Sequence, residues 1–132
     1  MIGVDANVLV RFFVADDARQ AAIATRFLGE RTTDDPAFVS IVVVVEFCWV
    51  LKRFYGVPLQ NICDSLQVLA GSPSMRIERH DHVVAAIELA RSKRADIADA
   101  LIAAVALEAG AGQIMTFDQT AAKRVPAMEM LR

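Results

Sequence analysis

The chain has 132 residues, 55% hydrophobic and 23% charged, with a formal net charge of −2. This length and composition predict one globular domain over residues 1–132 and exclude a disordered chain. The longest apolar run, Phe38 to Leu51, contains Glu46 and is shorter than the roughly 20 residues of a membrane span, so no membrane segment is expected. Because Asp5 already interrupts the first apolar run, we expect no signal peptide and a cytoplasmic protein with two reduced cysteines.

Short apolar runs alternate with segments of helical periodicity along the chain. In chain order, we predict a strand at 2–4, a helix at 18–29, a strand at 37–39, helices at 40–55 and 58–70, a strand at 75–78, helices at 81–93 and 96–109, a strand at 113–116, a short helix at 120–124 and an edge strand at 128–130. The segment 40–55 is ambiguous, since its β-branched residues favour a strand. Its length, an N-cap at Ser40 and basic residues before Gly56 favour the helix.

This alternation predicts an α/β fold, a three-layer α/β/α sandwich with a short, mainly parallel central sheet. Ligands of such sheets bind at the carboxyl ends of the strands. Asp5 and Asp118 each follow an apolar strand at that end. They converge if their two strands are neighbours in the sheet.

Several acidic residues stand where an isolated carboxylate is costly to bury. Glu46 lies in an apolar segment with no solely solvated helical face, and Asp99 begins a helix that is apolar almost all round. Each acid also has a local alternative. Glu46 could pair with Arg53 or point outward, Asp96 and Asp118 could be N-caps, and Asp99 could be a favourable first-turn acid.

Four or five such acids in one protein are better explained by a shared site. Two unscreened carboxylates about 4 Å apart repel by about 4 kcal/mol at an effective dielectric constant near 20, so a cluster persists only with protons or cations. Hard divalent ions, Mg²⁺ or Mn²⁺, suit a site made of carboxylates. With the acids neutralised the rest of the chain is net positive, so the overall charge does not exclude a polyanionic substrate.

Other chemistries lack the residues they need. The two histidines, His80 and His82, lie at a polar loop-to-helix start, where a structural or capping role is expected. No Cys/His set has zinc spacing, and there is neither a Gly-Lys-Ser/Thr phosphate loop nor a dinucleotide-binding glycine fingerprint. Nothing in the sequence suggests a serine or cysteine triad.

Four motifs follow one another at characteristic intervals. They are Asp5-Ala6-Asn7-Val8-Leu9, Glu46 with Trp49-Val50-Leu51 and Tyr55-Gly56, the segment Ala95-Asp96-Ile97-Ala98-Asp99-Ala100-Leu101-Ile102-Ala103, and Thr116-Phe117-Asp118. As an ordered set they resemble PIN-domain ribonucleases, most of all the VapC-type toxins of bacterial toxin–antitoxin pairs. Ala6 departs from the pattern, in which Thr or Ser is more usual, and we expect little effect from it.

The resemblance implies Mg²⁺-dependent hydrolysis of RNA phosphodiester bonds, with Mn²⁺ as an alternative ion. It implies a catalytic, metal-binding quartet of Asp5, Glu46, Asp99 and Asp118, with Asp5 and Asp99 as the main ligands and Asp96 as an accessory acid. Asn7 and Thr116 would orient the carboxylates by hydrogen bonds.

The resemblance also implies partners: an RNA substrate, a small cognate antitoxin that occupies the acidic groove, and a second copy of the chain in a homodimer. The candidate phosphate contacts are Lys52, Arg53, Arg91, Lys93 and Arg94, with solvated helix ends as the alternative.

Three other functions compete with the toxin. They are a housekeeping PIN nuclease acting on RNA or DNA, a PIN-like module that binds without catalysis, and a phosphoaspartyl hydrolase, which would need Asp-x-Asp where residue 7 is Asn.

Overall fold

A computed structural model describes residues 1–132 as helices and short strands that alternate along the chain. The elements are β1 (Ile2–Gly3), α1 (Ala6–Phe13), α2 (Ala18–Gly29), β2 (Ala37–Val39), α3 (Ile41–Arg53), α4 (Leu59–Ala70), β3 (Met75–Ile77), α5 (His80–Lys93), α6 (Ile97–Glu108), β4 (Ile114–Thr116), α7 (Gln119–Arg124) and β5 (Met128–Met130). The predicted α/β class with short parallel strands is confirmed. None of the helices combines the length and the apolar character needed to cross a bilayer.

The strands form two sheets where the sequence predicts one. β2 lies between β1 and β3 in a parallel sheet, in which Ile2 is opposite Ala37 and Ala37 is opposite Met75. β4 and β5 form a separate parallel pair, with Ile114 opposite Met128. No backbone hydrogen bond joins β1 to β4. Because β1 is so short, it offers few backbone groups for a second neighbour, and its outer edge stays unpaired.

Two hydrophobic clusters correspond to this division. The larger one packs the three-stranded sheet with α1, α3, α4 and α5 and the start of α6, around fully buried side chains such as Phe47 and Leu66. The smaller cluster consists mostly of small side chains and joins α6 to the β4–α7–β5 unit. Its members are Ala95, Ala103, Ala121, Val125 and Met128. The β4–α7–β5 unit is therefore held to the protein by a thin contact.

The ambiguous segment at 40–55 is helical. The Ser40 hydroxyl accepts a hydrogen bond from the Val43 amide at 3.2 Å, which satisfies one of the free donors at the start of α3. The helix buries Val44, Phe47 and Leu51 on one face. Capping and burial together outweigh the strand preference of the valine run.

Helix α1 was not predicted, since the sequence indicated no element between the strand at 2–4 and the helix at 18–29. Leu9 and Val10 are buried on one face of this helix. The helix begins at once because the Asp5 carboxylate accepts the Val8 amide at 3.3 Å. The acid that ends β1 therefore also caps the next element.

Candidate functional site

Three acidic side chains share one cavity of about 440 Å³. Asp96 and Asp99 lie at the start of α6, and Asp118 follows β4. The cavity also contains basic side chains at its rim and apolar ones at its base. Its other lining residues are Cys48, Lys52, Val57, Leu59, Ile62, Arg94, Ile97, Thr120, Ala121 and Arg124. The structure thus brings together three of the five acids predicted as metal ligands.

Two of these carboxylates are fixed by helix capping. Asp96 accepts the Asp99 amide at 3.0 Å, and Asp118 accepts the Ala121 amide at 3.0 Å. The Thr116 hydroxyl accepts the Asp118 amide at 3.0 Å, so Thr116 orients this acid through its backbone. The local alternatives for Asp96 and Asp118 as N-caps are therefore confirmed. Capping occupies one oxygen of each carboxylate. The second oxygen of Asp118 remains available for another partner, whereas the second oxygen of Asp96 accepts from Lys52.

The third carboxylate, Asp99, is in the least favourable environment for a charge. Partial burial raises its pKa above the ordinary aspartate value, and the negative charges of Asp96 and Asp118 raise it further. The Lys52 ammonium opposes this shift. Lys52 lies 3.0 Å from the second Asp96 oxygen and so supplies positive charge at the rim of the cavity.

Cys48 also lines the cavity, but it does not serve as a nucleophile. Burial raises the pKa of its thiol to about 12, so the reactive thiolate is absent at neutral pH. Cys48 and Cys63 are both buried and free, as the sequence predicts for reduced cysteines.

Asp5 lies in a different cavity, of about 390 Å³, between α1, α2 and the end of β1. Asn7, its predicted hydrogen-bonding neighbour, lines the same cavity, with apolar side chains such as Val8, Ile23 and Phe27 around them. The condition for Asp5 and Asp118 to converge, that β1 and β4 are neighbours, is not met by strand pairing in this structure. Asp5 and the three clustered acids therefore lie in two separate cavities that share no lining residue.

Glu46 lies on the exposed face of α3 and lines neither cavity. It makes no ion pair, so the alternative that it points outward is correct and the pairing with Arg53 is not formed. The expectation that α3 has no solvated face is wrong. Val42 is 70% exposed and Trp49 is 49% exposed, and both lie at helical spacing from Glu46.

The predicted phosphate contacts divide into occupied and free groups. Lys52 pairs with Asp96, and Arg91 donates to Asp64 and Gln67, both at 2.8 Å. Arg53 and Lys93 are exposed and line neither cavity. Among the five predicted phosphate contacts, only Arg94 lines the acidic cavity without pairing with a carboxylate.

Arg124 was missed by the sequence analysis. It lies in the last turn of α7, lines the acidic cavity, and has no carboxylate partner. No local pattern in the sequence indicated it, because its place at the cavity depends on how α7 packs against the rest of the chain. The two histidines have the structural roles that were predicted: His80 bonds to the Ala70 carbonyl and His82 to Glu108.

The chemistry of the donor set fits a hard divalent cation, although the spacing is incomplete. No three Asp, Glu, His or Cys side chains lie close enough to form a metal site by themselves. Mg²⁺ generally needs only one or two protein carboxylates and takes its remaining ligands from water and phosphate. Asp99 and Asp118 in one partly buried cavity meet that lower requirement, and a cation there would relieve the repulsion that raises the Asp99 pKa.

We expect Asp99→Asn to stabilise the metal-free protein. A carboxylate whose pKa is raised in the folded state reduces stability as pH rises from its unfolded-state pKa through the folded-state value, and the full penalty remains above it. The variant should therefore have a higher Tm than the parent at pH 8, by about 4 °C for each kcal/mol of repulsion removed. The gain should shrink toward acidic pH.

Differential scanning fluorimetry with a chelator measures this effect. Asp34→Asn is the control, because Asp34 is an exposed aspartate that lines neither cavity. An unchanged or lower Tm of Asp99→Asn at pH 8 would show that the cavity does not strain this carboxylate.

The comparisons with known proteins agree with this arrangement at the level of the family. The PIN domain family matches residues 2–127, which is nearly the whole chain. A search of curated proteins found no match. PIN domains are generally nucleases that act on RNA and typically depend on divalent metal ions. The chain belongs to the PIN domain family.

Proposed function

We propose that the chain is a Mg²⁺-dependent endoribonuclease and that it is the toxin of a toxin–antitoxin pair. The observation that carries the nuclease proposal is the cavity in which Asp96, Asp99 and Asp118 meet, with the pKa of Asp99 raised. Family membership over residues 2–127 supports the same activity independently.

In this proposal the chain supplies fixed carboxylates and a basic group beside them. Asp99 and Asp118 would hold the ion, Asp96 caps the start of α6 and adds negative charge, and Thr116 keeps Asp118 oriented. A bound divalent ion would supply positive charge for the scissile phosphate and lower the pKa of the attacking water. The water oxygen bonds to phosphorus and gives up a proton, while the bond to a ribose oxygen breaks and that oxygen takes up a proton as it leaves.

Asp5 and Glu46 complete the proposed quartet, but they do not line the acidic cavity. β1 and β4 each keep an unpaired edge. Pairing of those edges would place Asp5 and Asp118, which follow the two strands, at the same end of one sheet. Glu46, on α3, would then act through water, because it lies on the exposed face of its helix.

The toxin proposal rests on the ordered motifs, and the surface of α3 supports a protein partner. Trp49 and Phe54 stack edge to face, with ring centroids 5.6 Å apart, and Phe54 is 73% exposed. Exposed aromatic pairs of this kind are typical of protein–protein contacts. We propose that a small antitoxin and a second copy of the chain are the partners, and that both use the apolar surfaces of the helices between Phe38 and Ala70.

A non-catalytic PIN-like module remains the competing function, because the acids do not form a complete metal site in this arrangement. It predicts RNA or protein binding without turnover. A housekeeping nuclease predicts turnover without growth arrest. The next two experiments separate these functions.

We expect Asp99→Asn and Asp5→Asn to abolish Mg²⁺-dependent RNA cleavage while the fold is kept. Loss of a carboxylate ligand removes both the affinity for the ion and the charge that orients it, and we expect a rate loss of at least about 100-fold. Cleavage of a labelled RNA by purified protein measures it, and circular dichroism reports the fold.

His80→Ala and His82→Ala are the controls. The hydrogen-bond partners of both histidines lie outside the acidic cavity, and the histidines themselves line a different cavity. Cleavage by the aspartate variants at the parental rate would refute the metal assignment. A large loss in the histidine variants would indicate different chemistry.

Expression of the parent should arrest bacterial growth, and Asp99→Asn should not. Co-expression of a small protein encoded beside this gene should restore growth and co-purify with the chain. Counting viable cells after induction measures the arrest. Cleaving activity in vitro without arrest would contradict the toxin role and favour the housekeeping nuclease.

A further inference from the structure

A second, larger cavity adjoins the acidic one and has the opposite electrostatic character. It has a volume of about 620 Å³, and none of its lining residues is acidic. Leu59, Arg94 and Arg124 line both cavities, so the two are continuous along these side chains. A cavity with carboxylates therefore opens directly into one with arginines.

Two of the arginines at the junction have no carboxylate partner. Arg91, the third arginine of the larger cavity, already donates to Asp64. Arg124 donates through one Nη to the backbone carbonyl of Arg94 at 3.1 Å, which holds the two residues side by side. Arg94 itself makes no side-chain hydrogen bond or ion pair. Their charges are therefore available to an anion.

Arg94 also adopts a backbone conformation that arginine disfavours. It caps the C-terminus of α5 with φ 58° and ψ 29°, in the left-handed region where glycine is the usual residue. Its amide donates to Ala90, so the backbone alone completes the cap, and glycine would do so without strain. Replacement of Arg94 by glycine would therefore remove the side chain without a structural cost.

We propose that Arg94 and Arg124 form a phosphate-binding subsite that holds the RNA backbone beside the acidic cavity and directs the strand into the larger cavity. The inference rests on the proposed nuclease function and specifies which part of the surface carries the substrate. A polyanion fits this surface because guanidinium groups bind phosphate oxygens through paired donors. The acidic cavity alone would repel the same strand, so the subsite supplies the attraction that the acids lack.

The proposal divides the basic residues into contributing and silent ones. Arg94 and Arg124 contribute, and Arg91 is occupied by Asp64 and Gln67. Arg26 is exposed in the last turn of α2 and lines neither the acidic nor the arginine-lined cavity, which makes it a matched control of the same residue type.

Binding of a fluorescein-labelled single-stranded RNA, measured by anisotropy with a chelator present, tests the proposal without cleavage. Arg94→Ala and Arg124→Ala should each weaken binding about tenfold. Each should also make the slope of log K against log salt concentration less steep by about 0.7. Arg26→Ala should bind as the parent does.

Arg94→Gly separates the side chain's use from a structural role. Because glycine accepts the left-handed conformation, this variant should keep or raise the parental Tm while it weakens RNA binding as much as Arg94→Ala. Arg94→Lys, which keeps the charge, should recover part of the affinity.

If the parent binds and cleaves RNA and both Arg94→Ala and Arg124→Ala bind RNA with the parental affinity, the subsite is refuted. The proposed nuclease function is not affected by that result. Equal loss of affinity in Arg26→Ala also overturns the subsite, because binding would then follow net charge alone. A parent that neither binds nor cleaves RNA overturns the subsite and the proposed function together.

Discussion

The placing of Asp99 in a partly buried cavity beside two other acids is the constraint on which the candidate site depends. Burial raises the pKa of Asp99, and the charges of Asp96 and Asp118, which share the cavity, raise it further. The fold holds two of them in place by making them helix caps, so removing either one also frees a helix end. Lys52 offsets part of the charge from the rim. Acids clustered and partly buried in this way are the feature on which the proposed cation site is based.

The same repulsion explains why the surface around the cavity is divided by charge. An acidic cavity by itself disfavours a phosphodiester substrate, and a cation in the cavity reverses that only locally. Arg94 and Arg124 extend positive charge from the cavity along one direction. In the proposed nuclease, the acids would hold an ion and the two arginines would hold the phosphate backbone of the substrate beside it.

Local patterns allowed most elements to be predicted from the sequence, because capping and periodicity are properties of adjacent residues. Ser40 capping α3 and Asp96 capping α6 are examples. The division of the sheet could not be predicted in this way, since the pairing of β1 with β4 depends on residues more than a hundred positions apart. Glu46 shows the same limit: an apolar stretch predicts burial, yet Val42 and Trp49 leave one face of α3 exposed.

The sequence allowed the acids of the candidate site to be predicted, but not which of them share a cavity. The acids predicted from the sequence include Asp96, Asp99 and Asp118, which meet in one cavity, and Asp5, which lies in a separate cavity. The sequence did not identify Arg124, whose importance comes from where α7 ends in space.

A crystal of the protein soaked in Mn²⁺ tests the central claim most directly, because anomalous scattering locates the ion without assumptions about activity. The account predicts an anomalous peak in the cavity of Asp99 and Asp118, within about 2.0 to 2.2 Å of their oxygens, as hard-cation distances require. A peak elsewhere, or none in that cavity when the ion is in excess, would contradict it.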